Sequence, residues 1–337
     1  MNIRSVAIGF VLAAVVGSAH AQPYPSHPIT LIVPFPAGGP TDTLARILAE
    51  RMRITLGQPV VIETVTGAGA SLGVVRAARS APDGYTALLG NWTSNVGAGV
   101  MYPAAHEAVL EMRPVSMISA TPLLIVGKTL LPAKDAKELI AWLKANPDKI
   151  SAATVGAGSA AHVCLLYFQQ KIGTSFALVP YRGGAPAMQD LVAGQIDLFC
   201  GEASQTLPFL RGGKIKAFAV MSKERWPGAP DVPTFDEIGV PGMYISFWNA
   251  IWVPKGTPDD IIAKLDAALI DALADPTVRQ RLTDLGHVIA TREEQTPEGL
   301  AAFHKSELEK WWPIMQAANI KPERCIPPPE GAGITPF

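Results

Sequence analysis

The sequence predicts an α/β protein with two lobes, and three observations lead to this prediction. Apolar, strand-like runs alternate with helical patterns between Ile29 and Ser94, and the alternation returns between residues 136 and 221. Each run ends in a polar or glycine-rich loop, which is typical of parallel sheets covered by helices. Two extended apolar segments, near Thr121 and near Trp248, connect the blocks. We therefore predict two α/β lobes, joined by two crossover strands, with a ligand cleft between them.

The order of these segments sets the predicted lobe boundaries. Lobe 1 takes residues 22–121 and 248–321, and lobe 2 takes residues 122–247. Helix-start signals support the plan: Asp135 precedes a helical pattern, and Asp275 and Thr296 each stand directly before a proline. Small polar residues cap helix N-termini, and proline is favoured at the first helical position.

The two ends of the chain differ from the rest. Residues 1–21 combine Arg4, a short apolar run and the small-x-small pattern Ala19-His20-Ala21. This pattern predicts a secretory signal cleaved after Ala21, and the apolar run is too short to favour a membrane anchor. We therefore expect a periplasmic protein. Residues 322–337 contain five prolines and form a predicted loosely held tail.

Composition narrows the possible functions. The formal net charge is −1 over 337 residues, so nothing favours binding to nucleic acid or to an anionic membrane surface. The three cysteines, Cys164, Cys200 and Cys325, do not make a disulfide framework. We expect buried free thiols, with a Cys164–Cys200 bridge as the alternative in an oxidising compartment.

The most informative stretch is Val33-Pro34-Phe35-Pro36-Ala37-Gly38-Gly39-Pro40-Thr41-Asp42. An apolar strand leads into it, and Leu44, Leu48 and Met52 then lie four apart on one helical face. Thr41 or Asp42 can cap that helix. A flexible loop at the end of a strand, opening a helix N-terminus, suits an anionic ligand. The alternative is a turn shaped only by proline and glycine.

Long motifs in this chain resemble the substrate-binding proteins of tripartite tricarboxylate transporters, the Bug family. The resemblance runs from about Tyr24 to about Asn319, and it is carried by the stretch above together with Leu56-Gly57-Gln58-Pro59-Val60, Pro82-Asp83-Gly84-Tyr85-Thr86, Gly156-Ala157-Gly158-Ser159, Tyr181-Arg182-Gly183-Gly184-Ala185-Pro186-Ala187 and Pro254-Lys255-Gly256-Thr257-Pro258. It implies a type II periplasmic-binding-protein fold without a cofactor. It also implies a monomer that closes on a di- or tricarboxylate or an aromatic carboxylate and delivers it to a membrane permease.

The resemblance also implies a set of ligand contacts, made mainly by backbone amides and small hydroxyl side chains. In lobe 1 the implied contacts are Phe35, Ala37, Gly38, Gly39, Ala68, Gly69, Ala70, Thr93 and Ser94. In lobe 2 they are Gly158, Ser159, Ala160, His162, Arg182, Gly183 and Glu202 or Ser204. For Arg182 a solvated role, and for His162 a structural role, remain open.

The sequence departs from the family pattern at two places beside the expected pocket. Thr64-Val65-Thr66 occupies the positions of a usual Asn-Arg-Pro, and Trp92 stands where a smaller residue is common. Trp92 is a predicted site residue that can stack on a flat ligand, with core packing as the alternative. The identity of the carboxylate therefore cannot be taken from relatives.

One enzyme signature has the right spacing. Gly69-Ala70-Ser71-Leu72-Gly73 matches a hydrolase nucleophile elbow, with His287 or His304 as base and Asp231 or Asp259 between them. An elbow needs a strand running directly into its first glycine, and here residues 64–68 intervene. We predict no catalysis, and keep a serine hydrolase and a sensor uncoupled from transport as alternatives.

Overall fold

The structure, a computed structural model, describes residues 23–320. The predicted signal sequence, its cleavage after Ala21, the tail of residues 322–337 and Cys325 lie outside the described residues. Within that range the chain alternates between strands and helices from Ile29 to Ala317.

Ten strands of the described part join one continuous sheet, in the order β2-β1-β3-β9-β4-β7-β5-β6, with β8 and β10 also paired to β4. The strands are β1 (Ile29–Val33), β2 (Val60–Thr64), β3 (Thr86–Asn91), β4 (Arg113–Lys128), β5 (Ser151–Thr154), β6 (Ala177–Pro180), β7 (Leu198–Glu202), β8 (Ile215–Val220), β9 (Ser246–Val253) and β10 (Val288–Ile289).

Helices cover both faces of this sheet. They are α1 (Pro40–Leu56), α2 (Ser71–Ala78), α3 (Ala98–Met101), α4 (Pro103–Glu111), α5 (Ala136–Ala145), α6 (Ala160–Ile172), α7 (Gly184–Val192), α8 (Ala203–Arg211), α9 (Asp259–Ala274), α10 (Pro276–Asp284) and α11 (Pro297–Ala317). Between residues 23 and 320, no helix combines the length and the apolar character that crossing a membrane requires.

The three predicted helix starts are confirmed. The Asp135 side chain accepts the Glu138 N–H at 2.9 Å, Asp275 accepts the N–H groups of Thr277 and Val278, and Thr296 accepts the Gly299 N–H at 3.0 Å. Each contact satisfies a backbone donor that the first helical turn leaves without a partner.

Parallel strands form the centre of each lobe. In lobe 1, β1 pairs in parallel with both β2 and β3, and in lobe 2, β5 pairs in parallel with both β6 and β7. An apolar core lies under α1 and α9, where Leu44, Leu48, Leu265 and Leu269 are buried against the strands. Because parallel strands end at a common edge, the loops that follow them are brought together.

The extended segment predicted near Thr121 is part of a long strand. It lies within β4, a single strand of 16 residues. Its first part pairs with β9, where Thr121 faces Phe247, and its second part pairs with β7 and β8. Register shifts along the pairing with β9 let the strand continue through this segment. We propose that the lobes divide here, near Thr121 and Trp248.

Lobe 2 contains a covalent link that the sequence left open. Cys164 in α6 and Cys200 in β7 form a disulfide, with their Cα atoms 6.4 Å apart. The expectation of free thiols is therefore wrong. Both residues are fully buried, so the bridge holds α6 against β7 inside the lobe.

Candidate functional site

The first turn of lobe 1, at Gly38, places backbone atoms at the cleft between the lobes. Gly38 adopts φ +78°, and its N–H donates to Asp42 Oδ2 at 2.8 Å. Arg46 binds the same carboxylate through two hydrogen bonds of 2.9 and 3.0 Å, and this guanidinium holds the pKa of Asp42 below its usual value. The helix begins at Pro40 with Gly39 as its cap, so the prediction that Thr41 or Asp42 caps it is wrong. The Asp42 side chain instead accepts the N–H of Gly38, four residues earlier, and so stabilises the turn.

The turn after β2 is strained. Residues 67–70 all have positive φ, with values of +123°, +46°, +58° and +75°. Glycine adopts these angles freely, but Ala68 and Ala70 do so at a cost of roughly 1–2 kcal/mol each. Backbone strain of this kind persists where the surroundings enforce it, and it is common at functional sites. Ala68 and Gly69 are exposed there, whereas Ala70 is buried.

The turn after β3 holds two predicted contacts in the interior of lobe 1. Trp92 is fully buried and packs edge-on against Trp311, with ring centroids 5.8 Å apart, so it has no face to offer a ligand. Ser94 is also fully buried, and its hydroxyl is engaged with the Asn91 backbone and the Asn95 side chain. Both residues stabilise the interior of lobe 1. Thr93 is half-buried beside them.

The first turn of lobe 2 repeats the local geometry of its lobe 1 counterpart. Gly158 has φ +73° and donates its N–H to His162 Nδ1 at 3.1 Å, while the Ser159 hydroxyl caps α6 by accepting the His162 N–H. This turn touches lobe 1, because a Cβ atom added to Gly97 would overlap the Gly158 carbonyl oxygen. Gly158, Ser159 and Ala160 are consequently buried at a contact between the lobes.

A cavity of about 210 Å³ lies between the lobes. Two predicted residues, Gly38 and Ser204, line it from opposite sides. The remaining lining residues, which the sequence did not single out as ligand contacts, are Pro40, Thr43, Gln205, Leu285 and His287. The N-termini of α1 and α8 therefore border one shared space.

Three further predicted residues of lobe 2 stand just before α7 or α8, outside the lining of this cavity. A Cβ atom at Gly184 would meet the Gln205 side chain, so the turn after β6 lies against the start of α8. Glu202 lies 3.5 Å from Ser204 Oγ, and burial raises the pKa of its carboxyl to about 7. Arg182 is exposed and Gly183 has φ +120°. As ligand contacts these residues stay predictions, as do Phe35, Ala37, Gly39 and His162.

His287 enters the cavity from the C-terminal part of lobe 1. Its Nδ1 lies 3.1 Å from Ser119 Oγ and 3.3 Å from Thr121 Oγ1, both on the crossover strand β4. The residue is 7% exposed, and burial lowers the pKa of its ring to about 4. It is therefore a neutral hydrogen-bonding group at neutral pH.

A larger cavity, of about 460 Å³, borders both crossover strands. Its walls include Trp226, Ile245 and Lys310, and no predicted site residue lines it. Lys310 is engaged there, since its Nζ donates to the Tyr244 carbonyl at 2.7 Å. The turns that follow β1 and β7 open on the smaller cavity, which is accordingly the candidate site.

The residues of the hydrolase alternative do not form a catalytic group. Ser71 is 5% exposed at the start of α2, His304 Nε2 bonds to the Asn95 carbonyl at 2.8 Å, and Asp259 pairs with Arg113. In the range 23–320, no cluster of three or more His, Cys, Asp or Glu side chains could hold a metal ion. The site offers neutral hydrogen-bond donors and helix N-termini.

Residues 44–320 match the model of the tripartite tricarboxylate transporter family receptor. The chain belongs to this family. The receptor is 35% identical to the protein BugT of Bordetella pertussis over 94% of this chain and 97% of that protein. It is 38% identical to a protein encoded in the TAR-I ttuE-ttuC' intergenic region of Agrobacterium vitis, over 95% of this chain and 92% of that protein.

Solved structures confirm the predicted two-lobed periplasmic-binding-protein fold of the receptor. The periplasmic binding protein BugD is 38% identical, with a TM-score of 0.80 over 89% of this chain and all of that chain. MatC of Rhodopseudomonas palustris, with bound malate, is 36% identical, with a TM-score of 0.80 over 87% of this chain and all of that chain. A second R. palustris protein, with adipate, is 28% identical, with a TM-score of 0.81 over 89% of this chain and all of that chain. The receptor is thus a member of a family of periplasmic solute-binding proteins.

Proposed function

We propose that the receptor binds a small organic dicarboxylate in the cavity between its lobes and delivers it to a tripartite tricarboxylate transporter. The observation that carries this proposal is the cavity of about 210 Å³ lined by Gly38 and Thr43 from one lobe and by Ser204 and Gln205 from the other. A ligand that contacts both lobes stabilises their closed arrangement.

The chemistry of the cavity favours an anion held by neutral groups. No Lys, Arg, Asp or Glu side chain is among its lining residues in the described chain. Two helix N-termini, those of α1 and α8, approach it from opposite lobes. Free N–H groups and the positive ends of helix dipoles stabilise carboxylates without a full positive charge. Hydroxyl and amide side chains add hydrogen bonds of matched geometry.

The volume of the cavity suits a small ligand. At about 30 Å³ per water molecule, the space corresponds to roughly seven waters. A short aliphatic dicarboxylate fits this space, and the malate and adipate in the two R. palustris proteins support that class. The burial of Trp92 removes the observation that favoured aromatic acids.

The test is a ligand panel on the full mature chain. We expect malate, succinate or adipate to raise the melting temperature with a saturable concentration dependence, and calorimetry to give one site. At a ligand concentration of 100 times Kd the native state gains about 2.7 kcal/mol. The matched dimethyl esters, which lack the charge, should give no shift. If no carboxylate shifts the melting temperature, the proposed function is wrong.

A pair of glycine variants ties binding to the cavity. Gly38 and Gly194 have the same φ of +78°, and neither has an atom within 4 Å of an added Cβ. We expect Gly38→Ala and Gly194→Ala to lower the free energy of unfolding by a similar amount, about 1 kcal/mol. Only Gly38→Ala, which lines the cavity, should weaken the binding. Equal affinities for the two variants would place the ligand elsewhere.

Delivery to a transporter and export to the periplasm need separate tests. Cleavage after Ala21 predicts a mature chain that begins at Gln22, which N-terminal sequencing of the periplasmic fraction checks. Ligand-dependent binding to a reconstituted permease of this transporter type supports delivery. If the ligand-loaded receptor binds no such permease, the sensor alternative replaces the transport proposal.

A further inference from the structure

His287 is placed at the cavity by a short turn between α10 and β10. Its backbone N–H donates to the Leu282 carbonyl at 2.9 Å, and the next residue, Val288, pairs with Ala120 of the crossover strand. Gly286, just before it, has φ +83°, and a Cβ there would come within 3.0 Å of the Ser204 Cα atom. The turn therefore brings the His287 ring directly to the lobe 2 side of the cleft.

The two nitrogens of the ring have different surroundings. Nδ1 lies within 3.3 Å of the hydroxyls of Ser119 and Thr121, which are both fully buried. A hydroxyl that donates to Nδ1 fixes the ring proton on Nε2. Since His287 lines the cavity and Nδ1 faces the crossover strand, Nε2 is the nitrogen available to a ligand.

The arrangement has an energetic reason. A buried imidazole with a pKa of about 4 is neutral near pH 7, so it donates a hydrogen bond without bringing a charge into the cleft. A carboxylate oxygen in the cavity would accept this hydrogen bond in place of water. The ligand would thereby be linked to the strand that joins the lobes.

We propose that His287 is a ligand-contacting residue, whose Nε2–H donates to a ligand carboxylate while Nδ1 stays bonded to Ser119 and Thr121. This inference rests on the proposed function. It assigns to His287 a role that connects cavity occupancy to the crossover strand β4. The ligand, the ring and the β4 hydroxyls form one hydrogen-bonded chain.

Two amide variants separate the contacts of the ring. The amide of His287→Gln reaches the position of Nε2, whereas the amide of His287→Asn reaches only that of Nδ1. We expect His287→Gln to keep the affinity for the best dicarboxylate of the panel within about fivefold, and His287→Asn to lose about tenfold or more. The reverse order, or wild-type affinity in both variants, overturns the inference. The proposed function then still stands, because wild-type binding is measured separately.

A measurement on the unaltered protein covers the case in which a variant does not fold. Nitrogen-15 spectra of the histidine rings report the tautomer and its hydrogen bonds. We expect the His287 Nε2 signal to shift as the same dicarboxylate saturates the site. His304 is the internal control, since its ring is also buried but its Nε2 bonds to the Asn95 carbonyl and it does not line the cavity. A saturated site with an unmoved His287 signal contradicts the inference, and absence of any binding removes it together with the proposed function.

Discussion

The first turns of the two lobes share one local design and serve different purposes. In each, a glycine in the left-handed region donates its N–H to a side chain four residues later, and a helix begins two residues after that glycine. The lobe 1 acceptor is the Asp42 carboxylate and the lobe 2 acceptor is the His162 ring. Gly38 lines the cavity, whereas Gly158 is buried against Gly97.

This difference separates local geometry from accessibility. The spacing of glycine and acceptor sets the shape of each turn, and that spacing is visible in the sequence. Whether the turn meets a ligand or the opposite lobe depends on packing between distant segments. Lobe 2 contributes to the cavity through the start of α8, at Ser204 and Gln205, and not through the turn that resembles the one in lobe 1.

The largest expected effect comes from breaking the contact between the lobes at Gly158. In Gly97→Ala the added methyl overlaps the Gly158 carbonyl, so the two segments must move apart. Overpacking costs about 1–3 kcal/mol, so we expect the ligand affinity to fall roughly 10- to 100-fold. Calorimetry measures this change, and solution scattering should show a larger radius of gyration.

Gly212→Ala is the control for this variant. Gly212 has an ordinary φ of −78°, lies at the end of α8, and its nearest neighbours are in its own segment. We expect unchanged affinity there. If Gly97→Ala binds as tightly as Gly212→Ala, the contact between Gly97 and Gly158 does not belong to the ligand-bound state.

Asp42 and His162, which accept the N–H groups of the two turn glycines, should differ in their contribution to stability. Asp42 makes charge-assisted bonds to Arg46 and is almost fully buried, so Asp42→Ala leaves the Gly38 N–H and the guanidinium without their partner. We expect a loss of about 2 kcal/mol in the free energy of unfolding, against about 1 kcal/mol for His162→Ala. Denaturant titration compares them, and an equal loss in both variants would mean that the charge adds nothing.

Acid should lower the stability of the fold through a buried neutral group, the His304 ring. Burial lowers the pKa of His304 to about 4 from an ordinary value of 6.5. The unfolded chain then binds more protons than the folded chain between these values, so stability is complete above pH 6.5 and falls as the pH drops toward 4. We expect His304→Gln to remove the contribution of this residue to the slope, about 3 kcal/mol across the window. Identical pH profiles for the variant and the wild type would contradict the assignment.

The sequence was informative where short-range chemistry decides the structure. The caps at Asp135, Asp275 and Thr296 were predictable because a side chain and a backbone donor three residues apart settle them. The sequence was less informative where a contact between distant residues decides whether a side chain is buried. Trp92 is buried by Trp311, a residue more than 200 positions away, and no local pattern reveals that pairing.

The residues that line the cavity also divide into those that the sequence could predict and one that it could not. Gly38 and Ser204 were predictable, because both stand just after an apolar strand and at the start of a helix. His287 was singled out only as a possible base, because its position depends on β10 pairing with the crossover strand. The signal that could have found it is the glycine before it, which marks a tight turn next to a short apolar pair.

The most direct test of contact with both lobes is an amide chemical-shift titration of the receptor with the best dicarboxylate of the panel. The account predicts that the backbone signals of Gly38 in lobe 1 and of Ser204 in lobe 2 shift together and give the same Kd. Saturable binding that moves only one of the two signals, or neither, would contradict a site shared between the lobes.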